Sequence, residues 1–222
     1  MVQVTTLSEL TIDGKLSLGP NASSKGLFEF YGDDLRAWFH AQRAGNDAIM
    51  VGAGTVRADD PELTVRYAPG RNPLRVVPCS SGRLPLQSRL LNDGEPTLVA
   101  VSESARAEDL RLLRAKPNVE VVVCGRERVD LHRLVNILAS RNVVGLIVEG
   151  GSHLLHSLFE AQLVDRIIIK HIPVIAGNPL APSYLAPGEG SRALDLSRWW
   201  LADCFVKSGV AVTVYEKSAN RS

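Results

Sequence analysis

The amino-acid sequence predicts a single α/β domain in which helices cover both faces of a mostly parallel sheet. Runs of β-branched residues alternate with helical stretches along the chain, and this alternation indicates βαβ units. The 222 residues suffice for one domain with a substantial core. A composition of 45% hydrophobic and 22% charged residues is that of an ordinary globular protein. We therefore expect residues 1–222 to form one domain, with a disordered tail over about 218–222.

The predicted strands are runs rich in β-branched residues. In chain order they are VQVTTL, DAIMVG, LRVVPC, TLVAVS, VEVVVC, VGLIVEG, RIIIKHIPVI, WWLADCFVK and GVAVTVYEK. Helices are predicted at residues 33–44, 107–116, 131–140 and 152–161. The first helix begins with two acidic residues, which complement the positive end of the helix dipole. The last two strands have no helix between them, so we expect them to pair antiparallel at one edge of the sheet.

The charge balance argues against several classes of partner. With 25 basic and 24 acidic residues the net charge is +1, so no global field attracts nucleic acid or an anionic membrane. No apolar run reaches the ~20 residues that span a bilayer, and the N-terminal residues lack the pattern of a signal peptide. We therefore expect a cytoplasmic protein that binds neither nucleic acid nor a membrane.

The cysteines and histidines do not indicate a metal site. Cys79, Cys124 and Cys204 are odd in number and far apart, which argues against a disulfide framework or a zinc site. Cysteines within apolar runs are expected to be small buried hydrophobes. His153 and His156 lie one turn apart on a predicted helix, but no third ligand is near them. We therefore predict no bound metal.

Two glycine-rich turns follow predicted strands, where open α/β sheets bind their ligands. The turn at 52–55 is Gly-Ala-Gly-Thr, but Arg57 stands where a dinucleotide fingerprint has its third glycine. The turn at 149–152 is Glu-Gly-Gly-Ser and opens a predicted helix. Glycines let backbone N–H groups approach a phosphate, and a helix N-terminus adds partial positive charge. This second turn is a candidate anion site, and the alternative is a plain turn in which Ser152 caps the helix.

A set of ordered segments gives the sequence a family resemblance. The segments are ELTIDGKLS, RAGNDAIMVGAGTVRADDPELTVR, NPLRVV, RLP, CGRERVDL, LIVEGGSHLLHSLFEAQLVDRI and IPVIAG. Together they resemble the pyrimidine reductases of riboflavin biosynthesis, from Thr11 to about Gly190. The resemblance is closest to the stand-alone archaeal-type enzymes. The zinc deaminase that bacteria usually fuse to this domain is absent, because the sequence has no His-x-Glu followed by Pro-Cys-x-x-Cys.

The resemblance implies a dihydrofolate-reductase-like fold, with a mostly parallel central sheet flanked by helices and with antiparallel C-terminal edge strands. It also implies a homodimer that binds NADPH and a ribosylaminopyrimidine 5′-phosphate. In the implied reaction the ribose opens to an imine-like form and hydride is delivered to C1′, which leaves a ribityl chain. Since hydride transfer is the cofactor's chemistry, the protein need only orient two phosphorylated ligands and exclude water.

The resemblance also implies which residues form the site. The implied catalytic residues are Lys15 and Glu149. The implied substrate-binding residues are Asp13, Arg43, Leu63, Arg66 and Glu149. The implied cofactor-binding residues are Gly52, Gly54, Thr55, Asp59, Ser80, Gly125, Arg126, Gly150, Gly151, Ser152, His153 and Leu154. Two arginines that converge on one 5′-phosphate are physically reasonable, because guanidinium groups bind phosphate bidentately and keep their charge.

Some of these polar residues also have purely structural interpretations. Asp60 either contributes to the site or accepts backbone N–H bonds in a turn before Pro61. Lys15 is otherwise a solvated side chain after a hairpin-like turn. The 2′-phosphate of NADPH needs a basic or hydroxyl-bearing site, for which the candidates are Ser80, Ser81 and Arg83, or Arg126.

The sequence departs from the family pattern near the implied ligands. Pro78 and Cys79 stand where an Asp and a Ser are usual, Val174 replaces a usual lysine, and Asn178 replaces a common glycine. The segment SSKGLFEFYG contains three aromatic residues that either line a reshaped pocket or pack in the core. Two alternatives therefore stay open: a related reductase of another aminopyrimidine or nucleoside, and a non-catalytic nucleotide-binding protein. The sequence also leaves open whether the substrate is deaminated before or after reduction.

Overall fold

A nine-stranded sheet forms the centre of the computed structural model, which describes residues 1–20, 22–188, 190–195 and 197–217. The strands are β1 (Gln3–Thr11), β2 (Ala48–Met50), β3 (Leu74–Pro78), β4 (Thr97–Val101), β5 (Val119–Val123), β6 (Gly145–Val148), β7 (Arg166–Ile172), β8 (Trp199–Lys207) and β9 (Val210–Lys217). Each predicted strand is present. However, β1 continues to Thr11, beyond its predicted end, and β7 stops at Ile172, before its predicted end. The tail predicted at 218–222 lies outside the described residues.

The strand order across the sheet is β5-β4-β3-β2-β6-β1-β7-β9-β8. The pairings among β1 to β7 are parallel, and β9 pairs antiparallel with both β7 and β8. This confirms the predicted α/β class and the antiparallel C-terminal edge. Because β6 lies between β2 and β1, the carboxyl ends of these three strands are adjacent. Such a point, where the strand order reverses, is where α/β sheets place their ligands.

Five α-helices occur in the part of the chain that the structure describes: α1 (Asp33–Ala44), α2 (Ala53–Asp59), α3 (Ala107–Arg114), α4 (Leu131–Ala139) and α5 (Ser152–Glu160). Two 3₁₀ helices span Ser24–Phe30 and Arg89–Leu91. The four predicted helices are confirmed to within two residues at their ends. Helix α2 was not predicted, because seven residues with an internal glycine give no helical period. Within the described ranges, the helices are too short or too polar to cross a membrane.

Each face of the sheet packs against its own apolar cluster. On one face, side chains of α1, α2, α3 and the two 3₁₀ helices pack against alternate strand residues, including Leu7, Ile49 and Val77. On the other face, α4 and α5 cover residues such as Val4, Met50, Val76 and Leu146. Burial on both faces explains why the parallel strands are nearly continuous apolar runs. The first cluster contains Cys79 and the second contains Cys124; both thiols are free and buried, as predicted.

Arg75 holds two loops against the sheet from inside the core. It lies on β3 with 1% of its surface exposed. Its two terminal nitrogens donate to the Asp93 carboxylate at 2.6 and 2.7 Å. They also donate to the carbonyl oxygens of Glu62, Leu90 and Glu95. One buried guanidinium therefore joins the loop before β4 to the segment that contains Glu62.

We expect Arg75→Met to lower the free energy of unfolding by about 3–5 kcal/mol, because it leaves the Asp93 carboxylate without its cationic partner and the Glu62 carbonyl without its donor. Urea denaturation followed by circular dichroism measures this loss. Arg71→Met is the matched control, since Arg71 pairs with Asp47 while 80% of its side chain is exposed. The control should lose no more than about 1 kcal/mol. Equal losses in the two variants would contradict the role given to Arg75.

Candidate active site

Two cavities meet at the carboxyl ends of β1, β2 and β6. The larger is a groove of about 840 Å³ beside the N-termini of α2 and α5. The smaller is a cavity of about 110 Å³ between α1, α2 and the 3₁₀ helix Ser24–Phe30. Five residues line both and form the wall that the two share: Glu9, Ser24, Thr55, Asp59 and Glu149. Ligand sites typically measure ~300–1,000 Å³, so the groove alone has that size and the smaller cavity extends it.

The backbone that lines the groove has two positions, Gly150 and Gly151, that favour glycine. Gly150 has a φ of +101°, in the left-handed region that favours glycine. A Cβ at Gly151 would lie 3.2 Å from the Thr55 hydroxyl oxygen. Gly151 is also the N-cap of α5 and provides no side-chain cap. The alternative in which Ser152 caps this helix is therefore wrong, and the N–H groups of the first turn lack a side-chain acceptor.

Most of the predicted cofactor residues line the groove. They are Gly52, Gly54, Thr55, Asp59, Ser80, Gly150, Gly151, Ser152, His153 and Leu154. Many of these residues belong to two strand-to-helix turns, one after β2 and one after β6. The two turns lie side by side because these strands are paired. The backbone N–H of Gly52 donates to the carbonyl of Gly150 at 2.9 Å, which joins the two turns directly.

Ser8 adds a polar group that no motif predicts. It lies on β1 with 3% of its surface exposed, and it lines the groove. Its hydroxyl has no hydrogen-bond partner among the described residues. An unpaired buried hydroxyl costs free energy, so a ligand in the groove is a suitable partner. The signal in the sequence is a Ser-Glu pair at the end of an apolar strand.

Arg43 and Glu149 form a bidentate ion pair at the shared wall. Arg43 Nε and Nη2 each donate to one Glu149 carboxylate oxygen at 2.7 Å, and Nη1 donates to the Thr64 carbonyl at 2.9 Å. The two side chains are only 7% and 11% exposed. Burial lowers the pKa of Arg43, but the Glu149 carboxylate outweighs burial and the net pKa is raised. Both predicted substrate contacts are therefore held together as charged partners.

A second buried pair lies beside the first. Lys170 has no exposed surface, and its Nζ lies 2.8 Å from Glu9 Oε2. The Tyr31 hydroxyl donates to the same oxygen at 3.2 Å. The Phe39 ring lies between the pairs, with its centroid 3.9 Å from Lys170 Nζ and 4.5 Å from Arg43 Cζ. Burial lowers the pKa of Lys170, although the Glu9 carboxylate opposes this shift.

Three cations line the smaller cavity, and two of them share one carboxylate. Lys25, Arg66 and Arg89 line this cavity together with Glu62. Arg66 Nη1 and Arg89 Nη1 both donate to the Glu62 carboxylate. Leu63, another predicted substrate contact, lines the same cavity with a φ of +58°. Arg66 and Arg43 therefore share one cavity, but each has its own carboxylate partner.

Asp59, the last residue of α2, and Asp60 after it connect this helix to the two 3₁₀ helices. Asp59 Oδ2 accepts a hydrogen bond from the Ser24 hydroxyl at 2.9 Å, and Oδ1 accepts from the Ser24 N–H at 3.3 Å. This ties the 3₁₀ helix Ser24–Phe30 to α2. Asp60 Oδ1 accepts the backbone N–H of Arg89 at 2.8 Å, which favours the structural interpretation of Asp60.

Two predicted residues near β1 lie outside both cavities. The Asp13 carboxylate accepts hydrogen bonds from the Thr11 hydroxyl and from the N–H groups of Ala176 and Gly177, which lower its pKa to about 2. Asp13 therefore anchors the loop after β7. Lys15 Nζ donates to the Ser183 hydroxyl at 3.3 Å. That Asp13 and Lys15 contact a ligand stays a prediction.

Gly125 and Arg126 also lie outside the groove, but Gly125 shapes it. Gly125 has a φ of +112°, and a Cβ there would lie 2.0 Å from the carbonyl oxygen of Arg128. The tight turn that follows brings Arg128 to the groove, which Arg57 also lines. Neither arginine belongs to the predicted set. The candidates Ser81 and Arg83 do not line the groove.

The departures from the family pattern have different surroundings. Pro78 lines the groove, while Cys79 and Val174 belong to the apolar cluster on the α1 face. Asn178 accepts the N–H of Leu180 at 3.0 Å. Of the three aromatics in SSKGLFEFYG, Phe28 lines the smaller cavity and Tyr31 is buried, so both interpretations of this segment hold in part.

The sheet order and the groove beside the glycine turns define an α/β domain of dihydrofolate-reductase-like fold. The chain belongs to the RibD C-terminal domain family, whose sequence profile matches residues 2–207. This confirms the resemblance inferred from the ordered motifs.

Two relatives illustrate the similarity. A 2,5-diamino-6-ribosylamino-4(3H)-pyrimidinone 5′-phosphate reductase of Aquifex aeolicus is 40% identical over 215 residues, which cover 96% of this chain and 95% of the relative. A protein of the same name from Methanothermobacter thermautotrophicus is 44% identical over 184 residues, 82% of each chain. Identity at this level to named reductases makes the protein an oxidoreductase, which disfavours a non-catalytic binding protein.

Two solved structures share the fold at low sequence identity. A pyrimidine reductase-like protein from Corynebacterium diphtheriae superposes with a TM-score of 0.81 at 19% identity, over 99% of this chain and 93% of that protein. A Thermotoga maritima diaminohydroxyphosphoribosylaminopyrimidine deaminase/5-amino-6-(5-phosphoribosylamino)uracil reductase gives a TM-score of 0.74 at 23% identity. That match covers 98% of this chain and 57% of the longer protein.

We expect stability to fall as the pH is lowered from about 6.5 towards about 4, because His40 is held neutral in the folded state. His40 is 2% exposed, and its Nδ1 accepts the N–H of Arg66 at 3.1 Å. Burial, with help from Arg43 and Arg66, lowers its pKa to about 4. The unfolded histidine therefore binds protons more readily than the folded one, so acid favours the unfolded state. The full free energy of unfolding is present only above the pKa of the unfolded histidine.

Urea denaturation of the parent and of His40→Asn, at about pH 7 and about pH 5, tests this expectation. The variant should lose part of the pH dependence across this interval, since asparagine retains an acceptor but does not titrate. His132→Asn, at an exposed position on α4, is the control and should behave like the parent. The same pH dependence in the parent and in His40→Asn would show that another group is responsible.

Proposed function

We propose that the protein is an NADPH-dependent reductase of riboflavin biosynthesis that converts a ribosylaminopyrimidine 5′-phosphate to its ribitylamino form. The observation that carries this proposal is the shared wall, where a dinucleotide-sized groove joins a cavity lined by Lys25, Arg66 and Arg89. The names of the relatives from Aquifex aeolicus and Methanothermobacter thermautotrophicus support a diaminopyrimidinone phosphate as substrate.

The groove suits a dinucleotide in three respects. Its glycine turns allow backbone groups to approach a pyrophosphate, the first turn of α5 has no side-chain cap, and Ser8 has a buried hydroxyl without a partner. Gly52 to Thr55 and Gly150 to Leu154 would hold the cofactor, which supplies hydride when bound. Ser8 would meet a polar group of the cofactor in the groove, next to Glu9 of the shared wall.

The protein's own groups would orient the substrate and stabilise developing charge. Lys25, Arg66 and Arg89 would bind the 5′-phosphate in place of Glu62, because guanidinium groups match phosphate geometry. The Glu149 carboxylate would face the cationic imine that forms at C1′, and Arg43 keeps this carboxylate in position. The 3₁₀ helix Ser24–Phe30, tied to α2 through Asp59, would exclude water from the reacting carbon.

Glu149→Gln should lower kcat/KM by about 10²-fold, because it weakens the stabilisation of positive charge at C1′. The decrease of NADPH absorbance with each ribosylaminopyrimidine phosphate, deaminated and not, measures this. Glu160→Gln is the control, since Glu160 lies at the far end of α5 and lines neither cavity of the site. It should stay within about twofold of the parent.

Two results would count against this assignment. A parent protein that oxidises NADPH with neither substrate would overturn the proposed function. A Glu149→Gln variant that retains the parent's kcat/KM within about twofold would remove Glu149 from the chemistry.

Arg128→Ala should raise KM for NADPH by about 10-fold and leave KM for NADH almost unchanged, since a charged hydrogen bond to the 2′-phosphate contributes about 1.5–3 kcal/mol. Arg128 is the favoured candidate because Arg57, the other arginine of the groove, already donates to the carbonyl of Arg83 at 2.8 Å. Initial rates with both cofactors measure the effect, and Arg133→Ala, at an exposed position on α4, is the control. Equal changes for NADPH and NADH would exclude this role.

We also propose that the protein is a cytoplasmic homodimer. Strand β8 is an edge strand that exposes Trp200, Leu201 and Val206 by 72%, 49% and 68%. Exposed apolar side chains on a sheet edge favour association with another chain, here a second copy. Its three cysteines are free, which agrees with a reducing compartment.

A further inference from the structure

We propose that Glu9 selects a substrate with an amino group at C2 of the pyrimidine over the deaminated form, by accepting a hydrogen bond from that amino group. This inference rests on the proposed function, since it names which of the two ribosylaminopyrimidine phosphates the site prefers. Glu9 is the first residue of the segment ELTIDGKLS, but the resemblance implies no role for it, and the evidence for its role is structural.

Glu9 lies where both ligands would meet. It is near the carboxyl end of β1 and lines both the groove and the smaller cavity. Within the smaller cavity it is accompanied by Phe39, Arg43 and Glu149. The Glu9 side chain is 14% exposed, so it is largely desolvated and yet borders the cavity. A hydrogen bond formed in such a place is stronger than one formed in water.

Glu9 differs from the other carboxylates of the smaller cavity in combining burial with an oxygen that accepts no hydrogen bond from the described residues. Both oxygens of Glu149 accept from Arg43, and both oxygens of Asp59 accept from Ser24. Glu62 accepts from Arg66 and Arg89, one on each oxygen.

Asp60 Oδ1 accepts the Arg89 N–H, and Oδ2 lies 3.6 Å from Arg89 Nε on a side chain that is 47% exposed. In Glu9, the Lys170 ammonium and the Tyr31 hydroxyl both contact Oε2. None of the described residues donates a hydrogen bond to Oε1. Among the described residues of the smaller cavity, Glu9 is therefore the largely buried carboxylate with an acceptor left for a ligand.

Lys170 acts as a positioning residue for this carboxylate. Glu9 and Lys170 are directly paired in the register of β1 and β7, and Lys170 lines neither cavity. A buried ion pair is seldom more stabilising than apolar residues of the same size, so its presence calls for another reason. The pair holds one carboxylate oxygen and leaves the other beside the cavity.

The chemistry of the two substrates makes Oε1 a discriminating group. The 2,5-diaminopyrimidinone carries an amino group at C2, and an amino N–H donates to a carboxylate oxygen. The deaminated uracil form carries a carbonyl oxygen at the same position. Two acceptors would then face each other without a shared proton, and the buried carboxylate would lose its partner. The site should therefore prefer the diamino form by about 10–100-fold, the factor that one charged hydrogen bond provides.

Calorimetric titration with each ribosylaminopyrimidine phosphate, in saturating NADP⁺, tests the inference without requiring turnover. The parent should bind the diamino form about 10–100-fold more tightly than the deaminated form. The double variant Glu9→Leu/Lys170→Met removes both buried charges together, which avoids leaving an unpaired lysine in the core. Its preference should fall to about threefold or less. Glu29→Leu, at an exposed position of the 3₁₀ helix Ser24–Phe30, is the control and should keep the preference.

Urea denaturation verifies that the double variant is folded. If the double variant does not fold, the titration is made with Glu9→Gln instead. The inference would be overturned if the parent showed no preference, or if a folded variant bound both ligands more weakly by the same factor. NADPH oxidation by the parent is measured separately. Preference without oxidation would reject the proposed function alone, and oxidation without the preference would reject only the role of Glu9.

Discussion

The bidentate pair between Arg43 and Glu149 is the interaction on which the site depends. It joins the last turn of α1 to the end of β6, and through the Thr64 carbonyl it also holds the segment before β3. The pair is possible because β6 is inserted between β2 and β1, which places the end of β6 under α1. Charges this deeply buried need complete pairing. The position of three chain segments is therefore set by one guanidinium, and the cavity for the substrate lies between them.

Local features of the fold could be predicted from the sequence. Strands appear as β-branched runs, and glycines mark the turns at 52–55 and 149–152, because both features are properties of neighbouring residues. Helix α2 escapes prediction because it is too short to show a period. The pairing of Glu9 with Lys170 could not be predicted from the sequence for a different reason. Each is a charged residue in its strand, and only the register between β1 and β7 shows that they meet.

Long-range contacts also explain which site residues lie away from the cavities. Asp13 and Lys15 stand in a recognisable motif, but they also have hydrogen-bond partners in the segment after β7, more than a hundred residues later in the chain. A motif specifies residue types and spacing, whereas the direction of a side chain depends on what packs beside it. Arg128 is the converse case. It lies in the segment CGRERVDL, but the resemblance implies no role for it, and the left-handed turn at Gly125 brings it to the groove.

Glu62 has a consequence for the kind of ligand that enters the smaller cavity. In the absence of ligand its single negative charge already neutralises part of the field of Arg66 and Arg89. A competing group must therefore be more anionic than a carboxylate, and a phosphate monoester, with a charge of about −1.5 to −2 near neutral pH, meets that condition. A sugar hydroxyl does not. The Glu62 carboxylate thus favours ligands with a phosphate, such as nucleotides, over nucleosides, and this selection does not depend on any contact with the base.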